Sequence, residues 1–110
     1  MATAERELRA AQNQMLFRSV NDLMMERVET MGGAVPELDF ACECADESCV
    51  GKIRLSTLQF LGIESETNQF IVLRGHELPE VEDVIAERKG FLIVSKRGAG
   101  AEFVREQSSP

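Results

Sequence analysis

The sequence predicts an α+β domain: a long N-terminal helix packed on a small antiparallel sheet, with one interstrand loop stapled by a cysteine cluster. Three observations predict this. Residues 3–31 carry helical periodicity and end at Gly32-Gly33. Short apolar runs with turn signals between them follow. Cys42, Cys44 and Cys49 fall within eight residues, at the tip between two of those runs. At 110 residues the chain is near the commonest size for one domain, and small enough that a metal staple matters.

Thr3 fits the N-cap of the first helix, and Glu5 and Glu7 suit its first turn. Leu16, Val20, Leu23, Met24 and Met31 share one helical face, with Phe17 and Val28 at its margin. Arg18, Asp22, Glu26 and Glu29 lie opposite. Leu8, Ala11 and Met15 point a quarter turn or more away. Two apolar directions suit a helix that packs on its own sheet with one and on a partner with the other. The alternative is that its first three turns are a solvated extension.

Residues 32–36 read as a linker. Leu38 to Cys42 and Lys52 to Leu55 alternate as strands do, which puts the cysteine cluster between two strands. Ser56 caps a short helix from Thr57 to about Gly62. Phe70 to Leu73 is a continuous apolar run, as in a buried strand. Gly75-His76-Glu77-Leu78-Pro79 breaks the chain again. Val81 to Arg88 and Phe91 to Lys96 then read as a hairpin around Lys89-Gly90. A helix from Pro79 to Lys89 is the alternative; the β-branched Val84-Ile85 and the run Phe91 to Val94 favour the hairpin. The single domain therefore divides into helix 3–31, a stapled β-rich region 37–97 and a tail 98–110 expected to be flexible.

Net charge is −7, with 12 basic residues against 19 acidic ones. That balance disfavours generic nucleic-acid binding, which needs clustered Lys and Arg. No apolar run approaches the roughly 20 residues of a membrane helix, and residues 1–7 lack a signal-peptide core. A cytoplasmic setting is expected, where thiols serve metal or redox chemistry rather than disulfides. A Cys42–Cys44 bridge would also close a very tight ring.

Three thiolates and one imidazole make a closed tetrahedral zinc site. Cys42, Cys44 and Cys49 supply the thiolates, and His76, the one histidine of the chain, supplies the imidazole. Asp39, Glu43, Asp46, Glu47 or water are the alternatives for the fourth place. Glu43, Asp46 and Glu47 put negative charge beside the thiols, which disfavours thiolate until a dication offsets it. The same residues also fit an iron–sulfur cluster or plain free thiols, though spacing favours zinc. Catalytic patterns fail. His76-Glu77 begins like H-E-x-x-H, but residue 80 is Glu; no G-x-S-x-G elbow or phosphate loop occurs.

The chain resembles a family of small uncharacterised bacterial proteins. The resemblance rests on a helix containing Asn13 to Asn21, then Phe40-Ala41-Cys42-Glu43-Cys44 with Cys49, then Phe70-Ile71-Val72 leading to Gly75-His76-Glu77. It covers roughly residues 5–97. It implies that the three cysteines and His76 form one motif, and supplies no activity. Where the family pattern places Pro before the G-H-E turn, this chain has Arg74.

The expected function is a non-enzymatic zinc-binding protein, with structural zinc, that serves as a protein-interaction or regulatory module. Its N-terminal helix would contact a protein partner or a second copy. The alternatives are a nucleic-acid-associated zinc protein in transcription or translation, and a thiol/zinc redox sensor.

Overall fold

A helix of 28 residues, α1 (Thr3–Thr30), leads into β1 (Glu37–Ala41), β2 (Lys52–Ser56), α2 (Thr57–Glu64), β3 (Gln69–Val72), β4 (Glu82–Arg88), β5 (Phe91–Lys96) and α3 (Gly98–Ser108). These elements come from a computed structural model, which describes residues 3–32, 36–66 and 68–108. The α+β class holds, with two small antiparallel sheets in place of one. In the first, β1 pairs with β2, Leu38 facing Leu55 and Phe40 facing Ile53. The second has the order β3-β5-β4, with Phe70 opposite Val94. Phe40, Phe60, Phe70, Ile71, Val72, Val94 and Val104 are the large apolar side chains at the centre. The Phe40 and Phe60 rings stack at 4.3 Å and join the first sheet to α2.

Local signals set the smaller elements. The Ser56 hydroxyl accepts from the Gln59 N–H at 3.0 Å, and the Gln59 side chain accepts from the Ser56 N–H at 3.0 Å. This capping box starts α2 where the sequence placed it. Residues 82–96 form the hairpin rather than the alternative helix, and Gly90 turns it at φ 87°. Only a residue tolerant of positive φ suits that corner. Of the linker, residues 33–35 lie outside the described residues.

Two expectations are corrected. The tail expected to be flexible from residue 98 is helix α3, packed along α1. Gly-Ala-Gly-Ala is a poor helix start by propensity, but close packing overrides it. A Cβ at Gly100 would stand 3.3 Å from the Glu7 carbonyl oxygen, so glycine lets the helices touch. The Glu7 carboxylate accepts from the Ala99 N–H at 3.2 Å, at the start of α3. Residues 109–110 lie outside the described residues.

The second correction concerns the orientation of α1. Most of the shared apolar face points outward: Leu16 and Leu23 are each 62% exposed, Val20 48% and Met31 77%, whereas Met24 packs on the core and Val28, at the margin, is buried. Gln14 and Asn21 are fully buried, and Arg18 is 5% exposed. Of the second apolar direction, Ala11 is buried and Met15 packs on the core, whereas Leu8 is 37% exposed.

Candidate metal centre

The end of β1 builds the first half of the site. The Cys42 N–H donates to the Gly51 carbonyl at 3.0 Å, extending the β1–β2 ladder by one residue. The chain then crosses to the other sheet, where the Glu43 N–H donates to the Ile71 carbonyl at 2.7 Å. Extended backbone sends alternate side chains to opposite faces. Cys42 and Cys44 thus share one face, and Glu43 takes the other.

A tight return brings in Cys49. Its N–H donates to the Asp46 carbonyl at 3.0 Å, and the Asp46 carboxylate accepts from the Ser48 N–H and hydroxyl at 2.9 and 2.7 Å. These are the bonds of an aspartate-led turn. Gly51 leaves room for Leu73: a Cβ there would lie 2.4 Å from Leu73 Cδ1 and would displace that side chain.

His76 arrives on a second turn. Its N–H donates to the Leu73 carbonyl at 3.0 Å, and Gly75 holds φ 89°. Positive φ at the third position of a four-residue turn calls for glycine, with proline common at the second. Arg74 occupies that second position. It donates to the Arg88 carbonyl at 3.1 Å and pairs with Glu87 at 3.6 Å, tying the turn to β4.

The four ligand atoms of Cys42, Cys44, Cys49 and His76 all lie within 4.8 Å of one another, close enough to hold a metal ion. His76 presents Nδ1, at 3.7 Å from Cys42 Sγ and 3.6 Å from Cys49 Sγ. Backbone donors support two of the sulfurs: Leu73 N–H reaches Cys42 Sγ at 3.2 Å, and Gly51 N–H reaches Cys49 Sγ at 3.4 Å. Such donors favour the charged form of a thiol.

The fold brings together all four residues that the sequence singled out, but the thiols are tuned differently than its acidic flanks suggest. A hydrogen bond from Cys42 holds the Cys44 thiol down to about 5, against burial, with His76 assisting. The same contact, together with burial, drives the Cys42 thiol far up. The acidic neighbours are engaged elsewhere. Asp39 pairs with Arg54 at 3.1 Å, and Ser48 holds the Asp46 carboxyl below its usual range. Glu43 is fully buried on the face away from the ligands. Among the described residues, His76 is the one that clusters with the three thiols.

Behind the ligands lies a polar network that sequence reasoning missed. Arg18 grips the Glu43 carboxylate with two nitrogens, Nε at 2.7 Å and Nη2 at 2.9 Å. Asn21 Nδ2 donates to the same carboxylate at 2.9 Å, and the Ile71 N–H donates at 3.0 Å. Gln14 Nε2 donates to the Glu43 carbonyl at 3.1 Å. Arg18 lies over the Phe70 ring at 4.6 Å and the Phe60 ring at 5.6 Å, within cation–π range. Burial disfavours its charge, but Glu43, Glu64 and Asp22 outweigh that and raise the guanidinium further. The available signal was the spacing of Gln14, Arg18 and Asn21, which places three polar residues on one helical face.

No family model, curated protein or solved structure matches the chain. The metal centre must be read from its own geometry. Among the described residues, no helix is long and apolar enough to cross a membrane.

Proposed function

We propose that Cys42, Cys44, Cys49 and His76 hold one structural zinc ion in a non-enzymatic cytoplasmic protein that acts through protein contacts. One observation carries the metal assignment. A tetrahedron with Zn–S of about 2.3 Å and Zn–N of about 2.0–2.1 Å has S···N edges of about 3.6 Å. The His76 Nδ1 separations from Cys49 Sγ and Cys42 Sγ are 3.6 and 3.7 Å. A two-iron cluster divides its ligands between two ions and needs wider gaps across it. The 4.8 Å limit on every pair favours a single ion.

Four protein donors fill a tetrahedral shell and leave no place for a reacting water, which supports a structural role. Bound zinc supplies positive charge that offsets the thiolates. The ligands then cross-link the 42–49 loop to the 73–76 turn, so metal binding adds to folding free energy. The interaction role is supported by the outward stripe Leu16, Val20, Leu23 and Met31 on α1.

Metal analysis of the purified protein, compared with His76→Ala, tests the reading. One zinc per chain in the wild type, and weakened retention in the variant, are expected. Iron, no metal, or undiminished zinc binding by His76→Ala would overturn it.

A further inference from the structure

We infer that Arg18 and Glu43 are positioning residues of the metal centre: helix α1 grips the Cys42–Cys44 segment from the face opposite the ligands and so sets its metal affinity. The inference rests on the zinc reading above and concerns how that site is held.

The segment is divided by alternation. Residues 42 and 44 offer sulfur to the metal side, whereas 41, 43 and 45 are held by α1. Asn21 accepts from the Ala41 N–H at 2.8 Å and donates to the Ala41 carbonyl at 3.0 Å. Gln14 holds the Glu43 carbonyl, and Asn13 Nδ2 donates to the Ala45 carbonyl at 2.7 Å. Glu43 is the one side chain that projects from the segment into this grip between the two cysteines. Its carboxylate receives Arg18, Asn21 and the Ile71 N–H together.

Arg18 is itself fixed. Phe60 and Phe70 flank its guanidinium, and Nη2 also donates to the Gln69 carbonyl. A bidentate guanidinium sets direction as well as distance, which a lysine cannot do. The glutamate of C-E-C therefore has a purpose distinct from its charge near the metal. It anchors the backbone so that Cys42 and Cys44 are already aimed when the ion arrives. Groups that fix ligand orientation without touching the metal are worth roughly 10–100-fold in affinity.

The test uses the full chain and two readouts: zinc affinity by competition with a chromophoric chelator, and the visible spectrum of the cobalt(II)-loaded protein. Glu43→Gln and Arg18→Lys keep approximate size and fold most readily. Arg18→Met with Glu43→Leu removes both charges. Val104→Ala supplies a matched loss of core stability away from the segment, since Val104 is fully buried in α3.

We expect zinc affinity to fall about 10–100-fold in Glu43→Gln, with shifted cobalt bands, and to fall less in Arg18→Lys. Val104→Ala should keep both the affinity and the spectrum of the wild type. The double variant should regain stability relative to Arg18→Met alone, yet keep weakened zinc binding. Affinity that simply follows stability across all variants, or unchanged affinity and bands in Glu43→Gln, would overturn the inference while leaving the zinc assignment standing. A wild type that binds no zinc overturns both.

Discussion

The two faces of α1 differ in what they bury: the inward one carries polar Gln14, Arg18 and Asn21 among apolar Ala11, Met25 and Val28, and the outward one an apolar stripe. Gln14, Arg18 and Asn21 are buried against the backbone at 41–45, whereas Leu16, Val20, Leu23 and Met31 meet solvent. The reason lies in what each face has to satisfy. Where the chain leaves the β1–β2 ladder, buried backbone groups still need partners. The polar face of α1 provides them, together with a countercharge for Glu43. The apolar face has no such duty inside the chain. Its large side chains, 48–77% exposed, each forgo only part of the about 1.5–3 kcal/mol that full burial supplies.

The largest expected effect comes from breaking the inner face at its charge. Arg18→Met leaves the Glu43 carboxylate buried without its cation, and should cost about 3–5 kcal/mol in urea unfolding. A cost below about 1 kcal/mol, the range of exposed pairs, would mean that the inner face is not organised around this ion pair. Asn21→Ala comes next. It strips bonds from Ala41 and from the Glu43 carboxylate, and should cost about 1–3 kcal/mol.

On the outer face, Leu16→Ser with Leu23→Ser should change stability by no more than about 0.5 kcal/mol per site. The same pair should abolish any self-association seen by sedimentation velocity, or capture by a partner. A large loss of stability would place this face inside the fold and undo the contrast.

A comparably small effect, and one that depends on pH, lies where α2 ends beside α1. Burial, helped by Asp22, pushes the Glu64 carboxyl up to about 8, from an ordinary value of 4.5. The folded state therefore binds the proton more tightly than the unfolded state does. This contribution is full below pH 4.5 and is lost as pH rises through about 8. Glu64 is partly exposed, so after solvent screening the effect should be under about 1 kcal/mol. Glu64→Gln should flatten the stability profile between those limits; an unchanged slope would show that Glu64 is not its source.

Most parts legible in the sequence have local causes: Ser56 announces a helix start, Lys89-Gly90 a hairpin, and the C-x-C-x4-C spacing a metal-binding loop. His76, 27 residues beyond Cys49, was legible for another reason: it is the one imidazole of the chain. What was not legible depends on contacts between distant residues. Periodicity shows that α1 has an apolar stripe, but which way it faces is decided by the needs of residues 41–45. The helix at 98–108 is similar: its glycines argue against it until α1 is in place to receive Gly100, Ala101 and Val104. The role of Glu43 was hidden because its partners, Arg18, Asn21 and Ile71, are at least 22 residues away.

In the proposed reading, one zinc ion fastens the 42–49 loop to His76 and holds the fold together. The most direct measurement is the thermal unfolding of one protein sample before and after a strong chelator removes its metal. One zinc should be released per chain, with a large fall in Tm that added zinc restores. Full release of the metal with no change in Tm would contradict that reading.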